Sequence, residues 1–470
     1  MTSEMTVDVI ILAAGKGSRM RSDRAKVLHE LAGRPLLQHV IDVAQQLGPS
    51  RVAIVVGHQA DAVKAATAAA VVWVDQTEQL GTGHAVAKAL DALTGDGVAL
   101  VVYGDVPLVE VATLAKTVAV AEQGDVGMVT ADFADPAELG RIVRDGSGEV
   151  ASIVEYKDAT ELQRQISEIN SGILAVDKSR LKGWLDRVEP NNAQGEYYLT
   201  DVIEMAAADG VAIHGIKARV PEEVTGVNDR TQLAHLERIL QHRMASELML
   251  NGVTIADPDR LDIRGTVRTG TDCFIDVNVV LSGDVQLGTN VTIGPGAVVA
   301  DSKIGDGTVV LAHTIVEGAI VADNCSLGPF SRIRPGSVLE SGVKIGNFVE
   351  TKKAHLGAGT KASHLAYLGD AEIGSECNIG AGSVTCNYDG VQKHKTTIGD
   401  NVFIGTNTTM VAPIQIEADA YVAAGSTVTT KISSGDLAVG RARQRNIKGW
   451  TPPAQRRAPA VQGPDKDKDK

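Results

Sequence analysis

Aromatic side chains are scarce in this sequence: phenylalanine, tryptophan and tyrosine make up 3% of 470 residues. A conventional large sandwich core, which depends on rings to fill its volume, is therefore a poor fit. Cysteine is sparse as well. Cys273, Cys325, Cys377 and Cys386 form no CxxC pair and show no spacing suggestive of a disulfide framework or a zinc site, which fits a reducing cytoplasm. Long apolar runs are also lacking. The longest early one, Val9 to Ala14, follows Asp8 and precedes Gly15-Lys16-Gly17; it is too short to span a bilayer and lacks signal-peptide flanks, so it reads as a buried strand. There is no excess of basic charge. A formal net charge of −13 speaks against a nucleic-acid partner or membrane insertion, so any ligand phosphate must be met by a few local cations and backbone N–H groups.

What is present changes character along the chain. From residue 7 to about 130, apolar runs such as VDVIILAA, RVAIVVG, VVWVD and VALVVYGD alternate with helical patterns, which predicts a parallel sheet covered by helices. Right-handed crossovers then bring the loops at 13–20, 75–84 and 103–108 to one rim, where ligands bind. Between Asp229 and Asn251, Leu233, Leu236, Leu240, Met244 and Leu248 recur at three- and four-residue intervals. This predicts one amphipathic helix, opened by a capping box of Asp229 with Gln232 and ended by Asn251-Gly252.

Beyond residue 252 aliphatic residues recur every six positions, at Leu281, Leu287, Ile293 and Val299, and at Val321, Leu327, Ile333, Leu339 and Ile345, often followed by glycine. Glycine totals 49 residues. This is the hexapeptide repeat of a parallel β-helix, in which three six-residue units close a triangular coil and the aliphatic residue points into a narrow interior. Large rings do not fit there. Residues 385–397 break the period and are expected to loop out. The organisation expected is a nucleotide-binding α/β domain over 1–230, a linker helix over 231–251, a β-helix over 252–450 and a disordered tail over 451–470.

The segment from Leu12 to Met20, LAAGKGSRM, follows the first strand. Its glycines allow close backbone approach to a phosphate, and Lys16, Arg19 and Lys26 can offset the charge. The spacing fits neither a dinucleotide fingerprint nor a P-loop. The string resembles the signature of sugar-phosphate nucleotidyltransferases, LxxGxGTxM followed by Pro-Lys, with Ser18 in place of threonine and Ala25 in place of proline. With EQLGTG at 78–83, YGDVP at 103–107, GRIV at 140–143, NSG at 170–172, EYYLTD at 196–201 and GVND at 226–229, the first half resembles the uridylyltransferase domain of the bifunctional enzymes that make UDP-N-acetylglucosamine. The resemblance implies a Rossmann-like α/β nucleotidyltransferase domain in which Asp105 and Asn228 hold Mg²⁺ and Arg19 and Lys26 act on the triphosphate. It also implies a nucleotide and sugar pocket made by Leu12, Ala13, Gly15, Lys26, Gln76, Gln79, Gly81, Thr82, Gly140, Glu155, Asn170 and Asn228.

In the second half, RIRPG, NFVETKKA, SHLAYLGDAEIG, NIGAG and TCNYDG resemble the glucosamine-1-phosphate acetyltransferase domain of the same bifunctional family, on a left-handed β-helix. The resemblance implies that His364 is the general base, that Arg334, Lys352, Tyr367 and Asn378 bind the sugar phosphate, and that Asn387, Tyr388, Lys393, Thr406, Ala424 and Arg441 contact acetyl-CoA. It further implies homotrimers with acetyl-transfer sites between neighbouring β-helices. Two other readings stand beside it: a single-function nucleotidyltransferase whose β-helix serves assembly or control, and a noncatalytic scaffold.

Overall fold

The apolar strand nearest the N-terminus, Val7–Ala13, lies inside a nine-stranded sheet, between Arg51–Val56 and Val98–Tyr103 and parallel to both. The structure is a computed structural model that describes residues 6–192 and 194–455. Along its main path the sheet runs Ile213–Lys217, Val126–Asp132, Glu168–Asp177, Val98–Tyr103, Val7–Ala13, Arg51–Val56, Val72–Asp75. Val9 and Ile11 pack into the layer on one face, Ile10 and Leu12 into the layer on the other. A strand buried on both faces is apolar throughout, as the continuous run required.

The strands that this sheet takes from residues 7–132 share one direction, as expected; a strand beyond that span does not. Glu168–Asp177 runs antiparallel to both neighbours, Val98–Tyr103 and Val126–Asp132. The chain reaches it through an antiparallel hairpin, Arg141–Arg144 with Val150–Val154. No long helical crossover carries it back across the sheet, so it returns in the opposite sense.

The connecting helix spans Arg230–Leu250, and the Asp229 carboxylate caps it by accepting the N–H groups of Thr231 and Gln232 at 2.8 Å. The expected capping box differs in its second half: the Gln232 side chain accepts from Asn228 N–H, one residue before the cap. Gly252, at φ +92°, follows the helix in the left-handed region that glycine adopts freely. The helix straddles two cores. Leu236 packs with Met20, Leu31, Leu36 and Leu108 of the first domain, while Ala245 and Leu248 join the core of the second.

That second core is a prism. Three columns of parallel strands stack coil on coil: Ser326–Leu327, Lys344–Asn347 and Lys361–His364; Arg332–Ile333, Glu350–Lys352 and Tyr367–Gly369; Val338–Leu339, His355–Leu356 and Ala371–Ile373. Partners are 17 or 18 positions apart, as Thr351 with Leu368 and Ile333 with Thr351. Leu327, Ile333, Leu339, Ile345, Leu356 and Leu368 are fully buried, each contributing about 1.5–3 kcal/mol of apolar burial.

Ile373 pairs with Ile398, 25 positions on. The excess is the expected loop, though narrower than 385–397. Val384–Cys386 and Thr396–Ile398 remain strands because Thr385 and Thr396 turn inward and are buried. Of the expected tail, 451–455 holds a single 3-10 turn, Pro453–Gln455, and 456–470 lie outside the described residues.

Candidate active sites

Two adjacent parallel strands, Val7–Ala13 and Val98–Tyr103, end on the same rim and deliver Gly15 and Asp105 side by side. Gly17 stands at φ +60°, and a Cβ there would sit 2.6 Å from the Cβ of Lys26. Glycine therefore lets Lys26 lie across the loop. Its ammonium bonds the Asp105 carboxylate and donates to Asn228 Oδ1 at 3.3 Å. Val227 N–H donates to the Asp105 carbonyl at 2.9 Å, which brings the Asn228 segment alongside.

One carboxylate oxygen and one amide oxygen thus converge on a single cation, the lysine ammonium. Hard oxygen donors in this number suit a Mg²⁺ ion that takes its other ligands from phosphate and water. Among the described residues no group of three or more His, Cys, Asp and Glu gathers to make a closed protein cage.

Leu12, Ala13, Gly15, Lys26, Gln76, Gln79, Gly81 and Thr82 line a cavity of about 340 Å³ beside this pair. Gln76 donates to the Gly81 carbonyl at 3.1 Å and Gln79 to the Ala14 carbonyl at 2.6 Å, so both amides are oriented. Gly81 lies at φ +113°, and a Cβ there would meet the Tyr197 carbonyl oxygen at 2.5 Å.

A second cavity, about 500 Å³, adjoins the first; Gly140, Glu155, Asn170 and Asn228 line it, and Asp105 lines both. Asn170 N–H donates to the Gly140 carbonyl, and Asn170 Oδ1 accepts Gly172 N–H, each at 2.9 Å. Burial, then the carboxylates of Asp158 and Asp201, raise the Glu155 carboxyl above its ordinary value.

Of the residues that line both cavities, sequence reasoning missed two. Tyr103 and Glu196 face both cavities, and their only signal was membership of the YGDVP and EYYLTD strings. Burial first, then the charges of Asp105 and Glu155, push the Tyr103 phenol far above its usual range and keep it a neutral donor. Arg19 does not join the group. It sits exposed on the one-turn helix Ser18–Met20, whose buried position belongs to Met20.

On the prism, one face carries Glu350 stacked beneath Tyr367, with Lys352 at the edge of the same strand. Arg334 donates to Glu350 at 2.6 Å. The Lys393 ammonium of the inserted loop, followed by the Arg334 charge, holds Lys352 below the ordinary lysine value. Nearby Asp370 is engaged by the Asn387 amide. The result is three cations against two carboxylates, Glu350 held by Arg334 and Asp370 by Asn387, a positive balance that favours an incoming anion. Lys393, expected with the acetyl-CoA set, stands in this cluster.

His364 lies at the adjacent corner, exposed, and its ring has no hydrogen-bond or ionic partner among the described residues. A backbone ladder follows that corner: Leu365 N–H to Asn347, Gly382 to Leu365, Asn407 to Ala381 and Gly425 to Thr406. Arg441 then donates to the Ala424 carbonyl at 2.8 Å. His364, Thr406, Ala424 and Arg441 therefore share one corner. Asn387, Tyr388 and Lys393 belong instead to the loop beyond Val384–Cys386. Asn378 stacks between Lys361 and Phe403 on a different face from Tyr367. One chain does not gather all the expected acetyl-transfer residues.

Comparison with known proteins follows this division. Residues 9–169 match the MobA-like NTP transferase domain, residues 263–355 the GMPPB C-terminal domain, and residues 395–430 the bacterial transferase hexapeptide (six repeats). The chain is 52% identical over 454 residues to the bifunctional protein GlmU of Alkalilimnicola ehrlichii, covering 96% of this chain and 98% of the relative. It is 53% identical over 450 residues to the protein of the same name in Pseudomonas entomophila, covering 96% and 99%. The solved structure of UDP-glucose pyrophosphorylase complexed with UDP-glucose aligns with a TM-score of 0.43 at 16% identity, covering 51% of this chain and 100% of that one.

Proposed function

This chain belongs to the bifunctional GlmU family, and from that premise we infer how its two sites divide the work of making UDP-N-acetylglucosamine. It is an acetyltransferase and a nucleotidyltransferase in one polypeptide. Acetyl-CoA acetylates glucosamine 1-phosphate on the prism, and the product then attacks the α-phosphorus of UTP in the first domain, releasing pyrophosphate.

For uridylyl transfer, Asp105 and Asn228 hold Mg²⁺, which when bound neutralises charge on the phosphate oxygens. Lys26, whose ammonium bonds these two oxygens in the unliganded chain, turns to the triphosphate. Gln76, Gln79, Gly81 and Thr82 receive the nucleotide, and Gly140, Glu155 and Asn170 receive the amino sugar. Arg19, exposed at the rim, acts on the triphosphate.

For acetyl transfer, Arg334, Lys352, Tyr367 and Lys393 clamp the sugar phosphate. His364 takes a proton from the amine as it attacks the thioester, since an ammonium has no lone pair to offer. Asn387, Tyr388, Thr406, Ala424 and Arg441 receive acetyl-CoA. The observation that carries this assignment is the Arg334–Glu350 pair set in register beneath Tyr367 on one face of the prism.

The site is completed between copies of the chain in a homotrimer built on the β-helix. Support comes from the separation of Asn378 from Tyr367 and from an exposed apolar stripe on the His364 corner. His313, Phe330 and Phe348 stack with ring centroids 5.2 and 5.8 Å apart, and Phe348 and Leu365 are each 60% exposed. A patch of this kind marks an interface. No helix among the described residues is long and apolar enough to cross a membrane, and the four free cysteines, three of them buried, suit a cytoplasmic enzyme.

The test is subunit mixing. His364→Ala and Asn378→Ala variants each lose about 10²-fold or more in acetyl transfer, read as thiol release from acetyl-CoA. Unfolding and refolding them together restores part of the activity. No recovery in the mixture refutes the shared site, and near-normal thiol release by His364→Ala alone refutes the base.

A further inference from the structure

Gln232 departs from the pattern of its own helix cap in a way that bears on the metal. We propose that Gln232 is a positioning residue for uridylyl transfer, acting through Asn228 to aim one of the two oxygens that hold the divalent ion. The proposal rests on the reading of Asp105 and Asn228 as that pair.

In a capping box the residue three places into the helix reaches back to the N–H of the cap. Here the Gln232 Oε1 passes the cap and accepts Asn228 N–H at 2.7 Å. The helix does not need this bond. Asp229 already satisfies the donors of Thr231 and Gln232, and Asn228 lies outside the helical turn. The bond fixes the segment that carries Asn228.

That segment is held from both sides, by Gln232 on Asn228 N–H and by the Asp105 carbonyl on Val227 N–H. Val227 is fully buried. With its backbone held, Asn228 turns Oδ1 to the Lys26 ammonium beside the Asp105 carboxylate. The support behind Gln232 is a 21-residue helix anchored by Leu236 in the core, with Arg230 donating to the Met20 carbonyl and Arg243 to the Leu108 carbonyl. Groups that orient metal ligands are worth roughly tenfold to a hundredfold in affinity or activity.

Two variants of the full chain test the proposal. Gln232→Met keeps length and helix propensity but removes the acceptor; Gln232→Glu keeps an acceptor oxygen at the same reach. Mn²⁺ binding in the presence of UTP is titrated by electron paramagnetic resonance, beside uridylyl-transfer kinetics, acetyl transfer and melting temperature. Gln232→Met is expected to weaken Mn²⁺ binding and uridylyl kcat/KM by about tenfold or more, with acetyl transfer and melting temperature unchanged, and Gln232→Glu to recover most of both. Parental Mn²⁺ affinity in Gln232→Met overturns the proposal. So does a loss that Gln232→Glu fails to rescue and that lowers the melting temperature equally. An Asp105→Ala control separates the two levels: if it binds Mn²⁺ like the parent, the metal reading itself is wrong, whereas a loss there with none in Gln232→Met condemns Gln232 alone.

Discussion

Asp105 touches Lys26 through its carboxylate and Val227 through its carbonyl, so its side chain can be removed without breaking the backbone link that holds the loop. Asp105→Ala is expected to abolish pyrophosphate release from UTP and N-acetylglucosamine 1-phosphate while thiol release from acetyl-CoA stays at the parental rate. Loss of both in a folded protein contradicts the division of labour. A different carboxylate governs stability. Asp8 is fully buried beneath Arg51 and Lys178, at 2.6 and 2.7 Å. Burial alone would raise its pKa, but the hydrogen bonds from those two cations outweigh it, and the net shift is downward from 3.8. A depressed folded pKa means stabilisation that is complete above the unfolded value and is lost as pH falls through the folded one. The parent should therefore weaken below about pH 4. Asp8→Asn, which leaves buried Lys178 without its counter-charge, should cost about 3–5 kcal/mol at neutral pH and show a flatter acid limb in urea titrations followed by circular dichroism. The convergence of Asp105, Asn228 and Lys26 was legible because the motifs carrying them occur in order. Tyr103 and Glu196 were not, since lining a cavity is a matter of packing and leaves no mark in local spacing.

The inserted loop is a self-contained element. Asp389 accepts Val391 N–H, Gln392 N–H and the His394 ring, and His394 N–H returns to the Asn387 carbonyl at 2.8 Å. Its two ends are therefore close, while the flanking strands pair with the coils above and below. Excising Tyr388–His394 should leave the circular dichroism spectrum and uridylyl transfer unchanged and abolish acetyl transfer. Collapse of the fold on excision shows that the loop supports the coil. The prism itself was legible because an interior too narrow for rings imposes a six-residue beat on the sequence. The antiparallel strand Glu168–Asp177 was not, because direction within a buried sheet does not alter which residues are apolar.

At the scale of the molecule, the connecting helix belongs to both halves. Glu237 accepts Ala32 N–H from the first domain and the Gln241 amide, while Gln241 donates to the Ile263 carbonyl and accepts its N–H in the first coils of the prism, each at 2.7 or 2.8 Å. Gln241 is buried. The sequence pattern marked the helix as amphipathic, but a 3.6-residue period cannot tell one apolar partner from two in succession.

The coils also fix how far apart the chemistry happens. From Ile255 through Ile275, Ile293, Val310, Leu327 and Ile345 to Ala362, two residues before His364, the chain climbs six strand spacings, roughly 29 Å at about 4.8 Å each. The interior of that column is lined by buried, mostly aliphatic side chains. With acetyl transfer proposed at His364, the acetylated sugar phosphate is expected to cross bulk water to find a uridylyl pocket, its own or another molecule's. With labelled glucosamine 1-phosphate as the starting substrate, a pool of unlabelled N-acetylglucosamine 1-phosphate should dilute the label in the final nucleotide sugar in proportion to its concentration. Undiluted label would mean that the two halves hand the intermediate across directly.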